Sequence, residues 1–397
     1  VQPPDGNHLE ESGGDGGMMW EKVKLGDIAT FSNGINFNKT AYAKGIKLIG
    51  VSNFGDRFYP DYSQLQEVKK DIVRLEDCLR NGDIVFVRSN GNKELVGRCM
   101  LVKNPTERVT YSGFCIRARL NDTDRYDPVY FTYYFKSKAF RRAVSGTAVG
   151  ANIQNLSQTR LSNHECSIPS IEVQHRIADI LSAYDNLIEN NQKQIKLLEE
   201  AAQRLYKEWF VNLRFPEHEN TKIVDGVPEG WSKSTVFEVS AILRRGISPK
   251  YNENARGIVI NQKCIRQTIV SYDEARTQEK KYPAELELKE ADIAICSTGA
   301  GTLGRVGQIY EVRENTTLDS HVTLIRANEK IGQQYLFWSL KMQQDYLMSA
   351  GKGSTNQLEL SRETIGNCKI LIPEQKIAEQ AEKNFVAIHN KMRECSM

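Results

Sequence analysis

The sequence predicts an α+β chain in which two similar α/β domains are separated by a long helix, which pairs with a C-terminal helix as an antiparallel coiled coil. Three observations carry that expectation. A stretch free of helix breakers occupies the middle of the chain, the segments on either side of it repeat one another, and a second heptad segment closes the chain. The expected order is a tail over 1–17, a first domain over 18–167, the central helix over 168–215, a second domain over 216–371 and a C-terminal helix over 372–397.

The tail, up to Gly17, has neither a basic n-region nor an apolar h-region, so it is not a signal peptide. It reads as an appended or disordered tail, with the native start expected at Met18 or Met19. At 397 residues the chain exceeds what one hydrophobic core can organise. A mean hydropathy of −0.49 and 26% charged residues are those of an ordinary soluble protein. No apolar run approaches the ~20 residues of a membrane span. The eight cysteines (78, 99, 115, 166, 264, 296, 368 and 395) contain no C-x-x-C, which suggests neither a zinc site nor a disulfide framework and fits a reduced, cytoplasmic protein. Charge is uneven: residues 20–165 carry 23 Lys/Arg against 15 Asp/Glu, whereas 216–371 carry 20 against 20. A basic first domain is compatible with a polyanionic partner.

Both domains open alike, Trp20-Glu-Lys-Val-Lys-Leu-Gly-Asp-Ile in the first and Trp231-Ser-Lys-Ser-Thr-Val-Phe-Glu-Val in the second. Each leads to a glycine turn with basic and aromatic neighbours, Ser32–Lys39 and Arg244–Tyr251, and then to a β-branched strand ending near Asn53 or Asn261. The clearest match is Asp83-Ile-Val-Phe-Val-Arg-Ser-Asn-Gly91 with Asp292-Ile-Ala-Ile-Cys-Ser-Thr-Gly299: a short strand, a polar loop, then Gly97-Arg98 or Gly304-Arg305. Strands expected over Phe114–Leu120 and His321–Ala327 precede aromatic-rich helices expected over Pro128–Val144 and Gln333–Met348. Each copy closes with a Gly/Asn/Gln loop, from Gly146 and from Gly351, before Ile168-Pro169 or Ile372-Pro373 starts a helix.

Between Pro169 and Pro216 the central stretch has neither proline nor glycine. One seam row takes Leu181, Ile188, Ile195, Ala202 and Trp209, and the other takes Ile177, Tyr184, Asn191, Leu198 and Leu205. Five heptads with Asn191 as the one strongly polar seam residue read as a coiled coil. About 40 such residues span roughly 60 Å at ~1.5 Å each, a strut between two bodies. The closing helix has rows Ala378, Phe385, Met392 and Ala381, Ile388, Cys395. Being shorter, it is expected to leave the last third of the strut without an intrachain partner. Leu205, Trp209 and Phe210 lie there and are the candidate partner-binding residues.

Catalytic motifs are missing. Gly299-Ala-Gly-Thr-Leu-Gly304 matches G-x-G-x-x-G, but the following Arg-Val-Gly-Gln-Ile-Tyr is strand chemistry, where a dinucleotide site needs a helix. Glu285-Leu-Glu-Leu-Lys289 has a nuclease-like spacing with no partner aspartate before it, and no histidine sits at metal or triad spacing. Neither a catalytic residue nor a metal site is assigned. What remains is binding chemistry: Ser/Gly/Asn loops after strands, flanked by Arg and Lys, suit phosphate oxygens and base edges in a groove. The strand-end loops offer Arg88, Asn90, Asn92 and Lys93 in one copy, and Ser297, Thr298 and Thr302 in the other. The lead-in loops add Asn36, Lys39, Arg244, Arg245, Lys250 and Tyr251; the closing loops add Asn152, Gln154, Asn356 and Gln357. For any single one of these the plain alternative is a turn residue chosen for backbone geometry.

The order of parts, the opening at Trp20, the Asp83–Gly91 segment and the run from Ile168 through Glu208-Trp209-Phe210 resemble the specificity subunits of Type I restriction–modification systems. The resemblance covers about residues 20 to 397. It implies two target-recognition domains, each reading one half of a split asymmetric site in double-stranded DNA, with paired helices setting the spacing. It implies further that the helices recruit two methyltransferase subunits, which carry S-adenosylmethionine, and that restriction/translocase subunits complete the enzyme. The chain itself would then be non-catalytic and hold no cofactor. A coiled-coil adaptor whose two lobes bind proteins is the alternative.

Overall fold

The aromatic, β-branched and glycine-punctuated segments fold into two units, Val1–Leu187 and Ile188–Met397, and the division falls inside the long helix. The structure, a computed structural model, describes residues 20–55, 57–90, 95–145, 155–299, 301–353 and 358–396.

In the first unit β1 (Glu21–Lys24), a helical turn α1 (Leu25–Ile28), β2 (Ala29–Asn33) and β3 (Tyr42–Ile49) come first. They are followed by β4 (Gln66–Val68), β5 (Ile84–Val87), β6 (Cys99–Leu101), β7 (Val109–Tyr111) and β8 (Cys115–Leu120). Helices α2 (Pro128–Lys136), α3 (Lys138–Ser145) and α4 (Gln158–Ser162), strand β9 (Glu165–Ile168) and the long α5 (Ile171–Tyr206) complete the series. The strands pair in the orders β2-β8-β5-β6, β4-β3-β7 and β1-β9.

The second unit begins with a hairpin, β10 (Ile223–Val224) and β11 (Val227–Pro228), turned by Asp225-Gly226, both at positive φ. Then β12 (Ser232–Thr235), α6 (Val236–Val239), β13 (Ser240–Arg245), β14 (Gly257–Ile260), β15 (Arg276–Gln278), β16 (Ile293–Cys296) and β17 (Val306–Gln308) follow. Last come β18 (Thr316–Leu318), β19 (Val322–Ala327), α7 (Gln333–Met342), α8 (Gln344–Ser349), α9 (Arg362–Gly366), β20 (Lys369–Ile372) and α10 (Gln375–Ser396). Their orders, β13-β19-β16-β17, β15-β14-β18 and β12-β20, reproduce the first unit strand for strand.

The matched Asp-Ile segments are the strands buried on both faces. Ile84 and Phe86 enter one core of the first unit, while Val85 and Val87 enter the other. Ile293 and Ile295, against Ala294 and Cys296, do the same in the second. A strand with two buried faces needs an unbroken apolar run, which both copies have. The aspartate ahead of each strand is structural. Arg119 donates Nε and Nη2 to the buried Asp83 carboxylate at 2.6 and 2.7 Å, and Arg326 does the same to Asp292 at 2.7 and 2.6 Å.

Two expectations are corrected here. Each aromatic-rich helix is two helices, broken at Ser137, whose extended backbone lets its Oγ accept the N–H of Phe140 at 3.2 Å, and at Gln343. The second concerns the strut. Its final turns are the covered ones: Ala202, Tyr206 and Phe210 are buried, with Leu205 and Trp209 packed against the same core. The Phe210 ring lies 4.6 Å from that of Tyr335 and 5.7 Å from that of Trp231. Leu205, Trp209 and Phe210 are therefore core and core-edge residues of the second unit, not an unpartnered end. The exposed seam residues are Leu181, Tyr184 and Ile188, with Ile180 and Leu187 beside them. Helix α10 runs antiparallel to the C-terminal part of α5: Cys395 Sγ lies 3.4 Å from Gln194 Oε1, and Lys376 bonds Glu217 at 2.9 Å beyond the other end. Its Phe385 also stacks on Trp338 of α7, so α10 is shared between the strut and the domain.

All eight cysteines are buried and free. Burial pushes the thiols of Cys99, Cys115 and Cys296 up to about 12, and those of Cys166 and Cys368 up to about 11. Among the described residues no helix is long and apolar enough to cross a membrane, and no cluster of His, Cys, Asp or Glu is arranged to hold a metal ion.

Candidate nucleic-acid interface

At one end of each four-stranded sheet, three loops distant in sequence are tied together by backbone hydrogen bonds. In the first unit Gly34 N–H donates to Cys115 O at 3.2 Å and Ile35 N–H to Tyr111 O at 2.9 Å, which sets the lead-in loop on the turn joining β7 to β8. The strand end joins the same turn through Arg88 N–H to Phe114 O at 2.8 Å, and Leu156 N–H to Arg88 O at 2.8 Å brings in the end of the closing loop. The second unit repeats the pattern. Gly246 N–H bonds Val322 O at 3.0 Å, Ser297 N–H bonds His321 O at 2.8 Å, and Leu360 N–H bonds Ser297 O at 2.8 Å. A Cβ at Gly34 would overlap Tyr111 O and Ser112 O, and one at Gly246 would overlap Leu318 O and Asp319 O. That is why both lead-in turns carry glycine here.

Around the first assembly, Asn36 and Lys39 are exposed, and with Asn53, Gln66, Gly113 and Phe114 they line a cleft. Arg88 is half-buried, its Nη1 donating to Gly113 O at 3.2 Å, and Asn90 is half-buried beside it. In the second unit the basic candidates already have carboxylate partners. Arg244 pairs with Glu285, Arg245 with Glu359 at 2.7 Å, and Lys250 with Glu279. Arg245 also donates to Leu360 O at 3.0 Å, so it ties the lead-in strand to the closing loop. The partners Lys250 and Asn252 hold the exposed Glu279 carboxyl below its ordinary range. Exposed pairs of this kind are weak because water screens them, so a competing anion can displace the carboxylate at small cost. Tyr251 carries the Arg276 guanidinium 3.4 Å above its ring centroid.

Ser297 requires correction. It is fully buried, with its hydroxyl 2.6 Å from that of Thr323 across the sheet, and it contacts no ligand from there. Thr298 is half-buried with Oγ1 2.7 Å from His321 Nδ1, and Thr302 turns its hydroxyl inward to Thr298 O at 3.1 Å. The G-x-G-x-x-G segment leads into strand β17. Asn92, Lys93, Asn152, Gln154, Asn356 and Gln357 lie outside the described residues.

A family model for the Type I restriction modification DNA specificity domain matches residues 18–200. The MjaVIII Type I restriction enzyme specificity subunit of Methanocaldococcus jannaschii is 29% identical, over 94% of this chain and 88% of that one. The MjaIX specificity subunit of the same organism is 26% identical over 72% of this chain, and the match spans just under two thirds (66%) of that relative's own length. The chain is similar to Type I specificity subunits, and the likeness to the MjaVIII subunit runs over most of its length. A specificity subunit is a non-catalytic kind of subunit. The crystal structure of a Type I system S subunit from M. genitalium has the same fold, with a TM-score of 0.61 at 16% identity, over 96% of this chain and 92% of that one.

The informative residues missed by sequence reasoning are Phe114 and His321. Both are expected as first residues of strands, and both stand at turn tips one residue earlier, with their side chains exposed. Asn53 and Gln262 sit in short 3-10 turns that follow equivalent strands, and Thr298 lies 3.4 Å from Gln262. The sequence signal was available: each ring residue opens a segment already matched across the repeat.

Proposed function

We propose that this chain is the DNA-reading subunit of a Type I restriction–modification enzyme. Each unit binds one half of a split, asymmetric site in double-stranded DNA, and the helices set the spacing between the halves. One observation supports this most: a single scaffold occurs twice, with different side chains at equivalent loop positions. Where the first unit presents Phe114 the second presents His321, and where the first offers Arg88 the second has only the buried Ser297, a pattern suited to reading two different half-sites. Lys39 and Arg88 in one unit, and Arg244 and Lys250 in the other, serve phosphate contacts that fix register. Joining two half-site contacts through one helix makes the second contact intramolecular and strengthens the whole.

Two methyltransferase subunits, which bind S-adenosylmethionine, and the restriction/translocase subunits supply the chemistry of this cytoplasmic complex. Ile180, Leu181, Tyr184 and Leu187, 39–65% exposed on one stretch of α5, are the surface we assign to methyltransferase docking. The test is co-expression with the cognate methyltransferase subunit and mapping of methylated adenines across the host genome. A split motif with two distinct halves is expected; a soluble, assembled complex that methylates no defined site overturns the reading. Charge reversal at Lys39 and Arg88 with folding intact should abolish DNA binding, whereas a protein-binding adaptor would be indifferent to it.

A further inference from the structure

The turn joining β7 to β8 in the first unit, and β18 to β19 in the second, presents a planar ring to solvent from a fixed backbone. Phe114 is 63% exposed, yet its carbonyl accepts both Arg88 N–H at 2.8 Å and Ser89 N–H at 3.3 Å. Its neighbour Gly113 is bound on both sides, N–H to Ile35 O at 2.7 Å and O from Arg88 Nη1 at 3.2 Å. A Cβ at Gly113 would overlap Asn36 Oδ1, so no other residue fits the turn without displacing Asn36. In the second unit the equivalent residue, His321, is exposed too. Its carbonyl accepts Ser297 N–H at 2.8 Å, its N–H reaches Asp319 Oδ1 at 2.9 Å, and its Nδ1 lies 2.7 Å from Thr298 Oγ1. Nε2 makes no hydrogen bond among the described residues.

A single exposed phenylalanine is ordinary on a protein surface. Two rings at one equivalent position, each on a locked turn and each beside the candidate polar contacts, are not explained by chance exposure. Nor do they serve the core, since neither belongs to a core cluster.

We propose that this turn tip is a base-reading position, and that Phe114 and His321 make the two units select different base pairs there. The inference rests on the DNA reading above. Phe114 offers apolar contact alone, which in the major groove favours the methyl group of thymine. His321 offers a ring nitrogen held in orientation by Thr298, which suits a polar atom on a base edge. The two side chains thus address different chemistry from the same place on the same scaffold.

The test uses the full chain assembled with its methyltransferase subunits and a DNA library randomised across both half-sites, read by methylation. Phe114→Ala should relax preference at one position of one half-site by about tenfold, the loss of one base contact, and leave the other half-site unchanged. Replacing thymine by uracil at that position should reproduce the loss in the wild type and add nothing in the variant. His321→Ala should relax one position in the other half-site. A preference profile unchanged in both variants, or affinity lowered evenly over all sequences, overturns the proposal. A wild-type complex with no sequence preference is a different failure: it sinks the DNA reading and takes this inference with it. Since both side chains are exposed, unchanged thermal unfolding of the variants verifies that folding is intact.

Discussion

At the scale of single residues, the two units are held by the same buried ion pair. Asp83 and Asp292 are 1% exposed, each accepts two guanidinium bonds, and each also accepts a backbone N–H, from Arg80 at 2.6 Å and from Lys289 at 2.7 Å. Removing the carboxylate strands both the arginine and the turn. Asp83→Ala is therefore expected to destabilise the first unit by about 3–5 kcal/mol in denaturant unfolding; a loss below ~1 kcal/mol would show that the pair is replaceable by water. His389 makes a second residue-scale case. It is buried, stacked on Tyr310 at 4.1 Å, with Nδ1 3.0 Å from Gln308 Oε1. Burial lowers its pKa more than nearby Glu290, 3.6 Å from Nε2, raises it, while Arg393 lowers it further. The unfolded chain therefore binds the proton more readily than the folded one. Stability is full above the ordinary histidine value of ~6.5 and declines as pH falls below it. His389→Phe, which keeps a ring on Tyr310, should flatten the change in melting temperature between about pH 7 and 5; equal slopes in the two proteins would assign the effect elsewhere.

At the scale of elements, α5 has two different faces along its length, and substitutions should separate them. Phe210→Ala opens a hole among Tyr206, Trp231 and Tyr335 and should cost about 3–5 kcal/mol. Leu181→Asp combined with Tyr184→Asp lies on the exposed part and should change stability by no more than ~0.5 kcal/mol per site, while methyltransferase co-purification is lost. Retained co-purification would assign docking to another surface. Heptad spacing in the sequence indicated the helix but not which part of it is covered, because covering depends on what the fold brings alongside. Ala202, Tyr206 and Phe210 are four residues apart, and that row meets the aromatic face of α7. The duplicated order of elements was legible because Asp83–Val87 and Asp292–Cys296 demand the same doubly buried strand. The site was only partly legible. Ser297 has the composition of a contact loop yet is consumed by Thr323 across the sheet. Phe114 and His321 have the propensity of strand residues, and nothing local distinguishes the first residue of a strand from the tip of the turn before it.

At the scale of the whole molecule, the proposed ruler makes a numerical claim. One heptad adds about 10.5 Å of helix and turns it only ~20° short of two full rotations. Against ~3.4 Å per base pair of DNA, an insertion after Asn190 should lengthen the recognised spacer by about three base pairs. Asn190 and the residues just before it are exposed, so the insertion disturbs no core. An unchanged spacer in a folded, active complex would remove the helix from that role. The buried thiols have a separate consequence. Cys78, Cys99, Cys115 and Cys166 lie in one unit and Cys264, Cys296, Cys368 and Cys395 in the other, all of them buried. A thiol reagent therefore acts as a clock for opening. Mass spectra of partly denatured protein should show adducts arriving in sets of four, and the order of arrival identifies the half that lets go first.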